Sequence, residues 1–416
     1  MRFTSLIFAV LLAGVVMAQK NTPPTTHMPI PGSNWVNVRD YGALGTGGDD
    51  APGFVAAINA ASHGQPWGGG TVYCPSTGSS YNSYSFPHGI TLPNLGNAWV
   101  EIYLDCNINL GGTIAMQSVS GYYIHGHNAG QQSNFGTKGT SQIYANEGVS
   151  PAIKISTFGA RLENLSISTG SGDVIQITGA PSAGIDASSM VRLIEVHAQT
   201  RDSNATGSPL HILGGFGYHI EGGGYEVQPS SNQPTILIEN PSPACVGTGI
   251  ITMDRVYLGN HGVQIKSPCG YVQNVRMTTT LYENGGDALV NMRGTWPGII
   301  TGIKLEDCAI ADSNVAVVDN QAARVFGVKI DGCPVTGGVL TTGSPMGMLT
   351  IWYPAEVESP PSQGFSGFGT PKVPKIAQNR NYELHFGDRI INTIPVLNMD
   401  KFDVQSGFVQ YANPPD

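Results

Sequence analysis

Short apolar segments recur along the middle of the 416-residue chain with the pattern apolar-x-x-apolar-x-apolar. They occupy residues 162–167, 193–198, 253–258, 272–277, 305–310 and 330–335, with a shorter version at 218–221. A second short apolar run follows each segment, and the two series keep the same order along the chain. A unit of this length cannot bury its apolar face alone, so neighbouring units must stack. The pattern therefore predicts an all-β solenoid built from parallel coils.

The composition fits many short strands and tight turns. Charged residues make up only 12% of the chain, whereas Gly occurs 55 times. This mixture argues against coiled coils and helical bundles, which are rich in charged residues. The formal net charge of −9 argues against a general nucleic-acid-binding protein, because such proteins need a basic surface.

The chain divides into four parts. Residues 1–18 have the pattern of a signal peptide, with Arg2 before an apolar stretch and Ala18 before Gln19. Residues 19–33 form a Pro- and Thr-rich linker, residues 34–350 the β-helix domain, and residues 351–416 an irregular C-terminal cap or tail. We expect a secreted protein, extracellular or periplasmic, with no membrane span after cleavage of the signal peptide.

The six cysteines suggest disulfides, because an exported protein can form them. Proximity favours Cys74 with Cys106, Cys245 with Cys269 and Cys308 with Cys333, although sequence alone leaves the connectivity open. Buried free thiols are the alternative for the last pair. No CxxC spacing occurs, which argues against a zinc site.

The N-terminal part of the predicted domain carries four motifs in a specific order. They are V-x-D-Y-G-A at residues 38–43, G-x-D at 48–50, an Ala-Ile pair at 57–58 and G-G-G-T-V-Y-C-P at 68–75. This series resembles the start of the pectate-lyase-like superfamily. The resemblance implies a single-stranded, right-handed parallel β-helix with a short N-terminal helical cap. It also implies action on polysaccharides, since the superfamily holds lyases, hydrolases and epimerases beside phage tailspikes.

The candidate catalytic residues come from a count of strand positions. Side chains alternate along a strand, so inward residues 165, 196, 220, 256, 275, 308 and 333 place their neighbours outward. The count puts Glu195 beside His219 and His197 beside Glu221, with Arg255 on the next coil. Glu195 and Glu221 then suit an inverting glycoside hydrolysis, in which one carboxyl acts as acid and the other as base. We predict all five as catalytic residues.

The same outward positions supply candidates for substrate binding, which are Tyr257, Asn274, Arg276 and Asp307. Under the resemblance, Arg255 would instead be the base of a β-elimination, with Ca²⁺ held by carboxylates. No dense cluster of Asp residues lies near Arg255, so the sequence requires no metal or other cofactor. The alternative is a solvated face with cross-coil pairs, namely Glu195–His219, His197–Glu221 and Arg276–Asp307.

The function expected from these observations is a secreted carbohydrate-active enzyme. It would cleave glycosidic bonds of a polysaccharide, pectin-like or other, by hydrolysis or β-elimination, in a groove along one sheet. The alternative is a non-catalytic, adhesive surface protein that binds glycans. The sugar, the linkage, the Ca²⁺ requirement and the oligomeric state stay open at this point.

Overall fold

The computed structural model describes the central part of the chain with several gaps. The described residues are 35–62, 69–77, 83–96, 98–117, 121–127, 141–179, 190–240, 247–311, 316–322, 324–333, 341–344, 346–353, 382–386, 389–394, 402–405 and 408–411. The predicted signal peptide and linker lie outside them, as does Cys245. No helix among the described residues is long and apolar enough to cross a membrane.

Helical structure closes the N-terminal end of the solenoid. A 3-10 helix covers Val38–Tyr41, and an α-helix covers Ala51–Ser62. The α-helix buries Phe54, Ala57, Ile58 and Ala61, as its apolar spacing predicts. Asp50 directly precedes this helix, and its carboxylate accepts hydrogen bonds from the amides of Gly45 at 3.1 Å and Ser85 at 2.9 Å. Its carboxylate therefore ties the helix to the first coils.

The described strands form two large sheets. The larger has 21 strands: Trp35–Asn37, Thr71–Cys74, Tyr84–Phe86, Val100–Leu104, Ile108–Leu110, Tyr122–Gly126, Gln142–Ala145, Arg161–Thr169, Arg192–Thr200, Gly215–Glu221, Gly224–Glu226, Thr248–Asp254, Tyr257–Gly259, Tyr271–Thr278, Leu281–Glu283, Ile299–Glu306, Ala309–Ile310, Val325–Asp331, Gly347–Tyr353, Tyr382–Phe386 and Arg389–Ile394. The smaller has 10: Ile90–Thr91, Ile114–Met116, Ile153–Ile155, Ile175–Thr178, Leu210–Leu213, Ile236–Glu239, Val263–Ser267, Val290–Gly294, Val318–Ala322 and Thr341–Gly343.

Pairing between successive coils is parallel throughout the solenoid, for example Arg161–Thr169 with Arg192–Thr200. Antiparallel pairs occur near the C-terminus, where Tyr382–Phe386 pairs with Arg389–Ile394 and Phe402–Gln405 pairs with Phe408–Tyr411. The predicted fold class, a right-handed parallel β-helix, is confirmed.

Stacked aliphatic side chains fill the interior. All seven positions predicted to point inward are at most 1% exposed: Leu165, Val196, Ile220, Val256, Val275, Cys308 and Cys333. Cys308 and Cys333 occupy the same inward position of adjacent coils and form a disulfide, and Cys74 pairs with Cys106. Cys269 is also disulfide-bonded.

In seven coils between residues 159 and 332, the larger sheet bends sharply at two places, because one residue there has a positive φ. The first corner is formed by Gly159, Met190, Gly217, Ile250, Asn274, Gly302 and Gly327. The second corner follows five residues later at Asn164, Glu195, Gly222, Arg255, Thr279, Asp307 and Gly332. A residue in this left-handed region reverses the local chain direction and interrupts the alternation of side chains. We call the segment between the corners the first limb and the segment after the second corner the second limb.

Candidate functional site

The predicted site residues are distributed over both limbs and both corners. His219, Glu221 and Arg276 lie on the outer face of the first limb, which we call the charged face. His197 and Tyr257 lie on the outer face of the second limb, which we call the carboxylate face. The other predicted residues are corner residues with positive φ: Glu195, Arg255 and Asp307 at the second corner and Asn274 at the first.

The predicted neighbours across coils are therefore wrong. His219 pairs with Arg192, not with Glu195, and Glu221 pairs with Ile194, not with His197. Arg276 forms its ion pair with Glu306 at 2.7 Å, not with Asp307. The prediction from the sequence took its inward residue from the first limb on some coils and from the second limb on others. It therefore placed residues of two different faces in one column.

Acidic and basic side chains face each other along the charged face. Glu221 accepts a hydrogen bond from His219 at 3.3 Å, and Arg255 reaches over the corner to the same carboxylate. The His219 hydrogen bond and the Arg255 charge hold the pKa of Glu221 below its usual value. Such a carboxyl stays ionised, so Glu221 is a poor general acid. The contacts of Glu221 with His219 and Arg255 are those of a solvated, ion-paired face and do not favour a catalytic role.

Arg255 is equally poorly suited to act as a base. Its guanidinium donates to Asp254 at 3.3 Å and to Glu221. These two carboxylates raise its pKa further above an already high value. Loss of a proton from Arg255 is therefore disfavoured. In addition, no three His, Cys, Asp or Glu side chains among the described residues converge on a metal-binding arrangement. The calcium site implied by the resemblance does not fit these residues, and we derive no step through it.

The carboxylate face is built from two neighbouring columns of outward positions. The first column runs through His197, Gly224, Tyr257 and Leu281, and the second runs through Gln199, Glu226, Gly259 and Glu283. Glu226 and Glu283 are thus two coils apart with a glycine between them. Neither carboxylate was among the residues predicted from the sequence.

Two glycines on this face let neighbouring side chains lie directly over the backbone. A Cβ atom on Gly224 would lie 3.0 Å from His197 Nδ1 and 3.3 Å from Tyr257 Cδ1, so the two rings approach each other over Gly224. A Cβ atom on Gly259 would lie 2.6 Å from Cγ of Glu226. The Glu226 side chain therefore leans over Gly259 towards the coil of Glu283.

The electrostatics of Glu226 differ from those of Glu221. Burial raises the pKa of Glu226, and the nearby charge of Glu283 raises it further. A carboxyl with a raised pKa keeps its proton closer to neutral pH and suits a general acid. The hydroxyl of Tyr257 lies near the carboxylates of Glu226 and Glu283. Burial and the two carboxylates raise the pKa of Tyr257 to about 12, so Tyr257 remains a hydrogen-bond donor.

His197 borders this pair of carboxylates one coil away from Glu226. Burial lowers its pKa, and the charge of Glu195 only partly opposes that effect. The imidazole is consequently neutral at neutral pH and can donate or accept a hydrogen bond. Of the sequence-predicted residues, His197 and Tyr257 thus stand closest to the two glutamates.

The spacing of Glu226 and Glu283 can be worked out from the sheet geometry. Neighbouring strands lie about 4.8 Å apart, so two coils separate the Cα atoms by about 10 Å. Because Glu226 leans towards Glu283, the carboxyl groups come closer than the Cα atoms. Inverting glycosidases hold their two carboxyl groups roughly 6.5–9.5 Å apart to leave room for a water molecule. The arrangement is compatible with that spacing.

A repeated dipeptide marks both glutamates in the sequence. Tyr225-Glu226 and Tyr282-Glu283 each place a fully buried tyrosine next to an outward carboxylate. Aligning the two coils on this dipeptide places Glu226 and Glu283 in the same column of outward positions, so the sequence did contain a signal for this pair.

Comparisons with known proteins agree on the fold. No protein-family model matches the chain, and no curated protein matches it. Among solved structures, the Agl-KA catalytic domain is similar with a TM-score of 0.55 and 12% identity, over 90% of this chain and 68% of that one. The Streptococcus pneumoniae surface adhesin PfbA is similar with a TM-score of 0.46 and 12% identity, over 91% and 100%. The A-module of the Azotobacter vinelandii mannuronan C-5 epimerase AlgE4 gives 0.35 and 13%, over 76% and 97%. At 12% identity, the likeness to the Agl-KA catalytic domain shows a shared fold alone, and the stacked parallel strands identify that fold as a parallel β-helix.

Proposed function

We propose that this pectate-lyase-like β-helix protein is a secreted carbohydrate-active enzyme that hydrolyses glycosidic bonds of a polysaccharide. The observation that carries the proposal is the pair Glu226 and Glu283 on one exposed face, at a spacing that suits inversion. The disulfides Cys74–Cys106 and Cys308–Cys333 support secretion, because such bonds persist in oxidising compartments.

In this proposal Glu226 is the general acid and Glu283 the general base. Glu226 donates its proton to the glycosidic oxygen while the bond from that oxygen to the anomeric carbon breaks. A water molecule attacks the anomeric carbon from the opposite side, and Glu283 accepts the proton that the water loses. Tyr257 lies beside both carboxylates, and Gly259 lets the Glu226 side chain lie over the strand between them.

The raised pKa of Arg255, the sequence-based candidate for the base, favours hydrolysis over β-elimination. An elimination needs a base that removes a carbon-bound proton, and Arg255 was the sequence-based candidate. Its raised pKa and its contacts with Asp254 and Glu221 oppose that role. The proposed hydrolysis needs no metal ion.

The experiment compares Glu226→Gln and Glu283→Gln with wild type on soluble neutral and acidic polysaccharides. Glu221→Gln serves as the matched control, since it removes a carboxylate from the charged face instead. We expect new reducing ends without absorbance from unsaturated uronate, and a loss of at least about 100-fold in kcat in both site variants. Proton NMR of the first product should show the inverted anomer.

Three results would contradict the proposal. Unsaturated uronate products would identify a lyase. Loss of activity in Glu221→Gln alone would move the site to the charged face. Binding to a polysaccharide without any cleavage would favour the adhesive alternative.

A further inference from the structure

Large apolar side chains lie exposed along the first corner of the solenoid. Trp99 is 48% exposed, Phe158 43%, Met190 62%, Ile250 53% and Tyr271 39%. We call these five residues the corner ridge. Large apolar side chains exposed along one edge of a protein often mark a binding surface.

The coil register places the ridge along the solenoid axis. The pairing of Val100 with Tyr122 and of Tyr123 with Arg161 aligns Trp99 with Gly121 and Gly159 at the corner. Met190 and Ile250 continue the same corner column on later coils. The ridge is interrupted along the axis, because Gly121 and Gly217 occupy the corner position on two coils and Tyr271 lies three residues before the corner residue Asn274.

The Trp99 ring packs on the backbone of two glycine residues, Gly121 and Gly159. A Cβ atom on Gly121 would overlap the indole ring, and one on Gly159 would lie 2.7 Å from its Cη2 atom. The ring therefore lies over the next two coils at glycine positions and stays half exposed. A flat aromatic ring with one covered face and an open opposite side is a stacking platform.

Tyr271 repeats the same construction further along the ridge. A Cβ atom on Gly247, one coil earlier, would overlap its phenol ring. The ring of Phe216 lies 6.2 Å away, centroid to centroid. Two separate rings on the same edge of the solenoid thus each depend on a glycine beneath them.

The chemistry beside the ridge indicates what kind of ligand fits. Several basic residues of the charged face lie next to it and are paired with carboxylates, for example Arg161 with Glu163 at 2.5 Å and Arg276 with Glu306 at 2.7 Å. Lys329 likewise meets Asp331 at 2.8 Å. These pairs offer alternating donors and acceptors with little net charge. The net charge of −9 also disfavours a long polyanion.

We propose that the corner ridge binds a neutral polysaccharide chain along the solenoid axis, with Trp99 and Tyr271 as stacking platforms for sugar rings. The C–H faces of sugar rings would pack on the aromatic rings, and hydroxyl groups would reach the paired charges. This surface is separated by the first limb from the carboxylate face. The inference shares with the proposed function only the class of ligand and does not depend on cleavage.

The test measures binding of a soluble neutral glucan and of pectate to the Glu226→Gln protein, by affinity electrophoresis and calorimetry. Trp99→Ala and Tyr271→Ala are added singly and together. Tyr41→Ala is the matched control, since Tyr41 is an aromatic residue with similar exposure, 42%, at the N-terminal cap. We expect each ridge variant to weaken glucan binding by about three- to tenfold, and the control to leave it unchanged.

Several results would overturn the inference. The double ridge variant binding glucan as tightly as its parent would do so, as would an equal loss in the Tyr41 control. Tighter binding of pectate than of glucan would reject the neutral ligand. A dimer in sedimentation that Trp99→Ala dissociates would identify the ridge as a contact between copies.

The two proposals fail in different ways. Glucan binding that depends on the ridge, with no cleavage by the wild-type protein, would refute only the hydrolase. Cleavage of short soluble oligosaccharides, with polymer binding insensitive to the ridge variants, would refute only the ridge site.

Discussion

Replacing His211 with glutamine should destabilise the protein strongly at pH 6 and weakly above pH 9. His211 lies on the outer face of the smaller sheet, between two carboxylates. Its Nδ1 atom is 2.8 Å from Asp173 Oδ2, and its Nε2 atom is 3.1 Å from Glu239 Oε1. Its side chain is only 12% exposed. Burial by itself lowers the pKa of His211, but the hydrogen bonds to Asp173 and Glu239 outweigh burial and raise the pKa to about 9.

The size of the effect follows from the shift in the pKa of His211. An unperturbed histidine has a pKa of about 6.5, and each unit of difference corresponds to about 1.4 kcal/mol. The rise to about 9 therefore contributes about 3 kcal/mol to the free energy of unfolding. Because the folded state has the higher pKa, this contribution is complete below pH 6.5 and disappears as the pH rises through 9. The lowered pKa of Glu239 reflects the same contact and is not counted again.

The assay is urea unfolding of wild type and His211→Gln, followed by circular dichroism at pH 6, 7.5 and 9.5. The difference in unfolding free energy should fall steadily from pH 6 to pH 9.5. His88→Gln is the control, because His88 is exposed on a turn and should show no such trend. A difference that is the same at all three pH values would refute the reasoning, as would a difference below about 0.5 kcal/mol at pH 6.

Three further predictions concern the proposed site. Tyr257→Phe removes the hydroxyl that lies beside the Glu226 and Glu283 carboxylates, so kcat should fall by about tenfold while thermal unfolding confirms an intact fold; an unchanged kcat would contradict a role for Tyr257. Gly259→Ala places a Cβ atom 2.6 Å from Cγ of Glu226, so kcat should fall by about tenfold, while thermal unfolding should confirm an intact fold. Glu221→Gln should leave kcat near the wild-type value, and a large loss would show that the charged face is catalytic.

The N-terminal motifs and the repeated apolar segments were sufficient to predict the fold. Residues 38–43 and 68–75 predicted the helical cap and first coil, and the inward positions were correct on every coil tested. Proximity also predicted Cys74–Cys106 and Cys308–Cys333. These features depend on local pattern and on the burial of apolar side chains, both of which can be read along the chain.

The candidate site was less predictable, because it depends on how coils of unequal length are aligned. Inward residues Ile220 and Val275 belong to the first limb, whereas Leu165, Val196 and Val256 belong to the second. All five are equally buried, so burial alone does not distinguish the limbs. Placing them in one column brought Glu195 next to His219 and overlooked Glu226 and Glu283.

The sequence by itself determined that the chain stacks short parallel strands and which residues face the core. Only the tertiary structure decided which outward side chains share a face. The physical reason is the pair of corner residues in each coil. Positive φ is usual for glycine and tolerated by asparagine, but here Glu195, Arg255 and Thr279 also adopt it, so residue type does not reveal the corner. Stacking of the coils imposes these bends, and the bends separate the charged face from the carboxylate face.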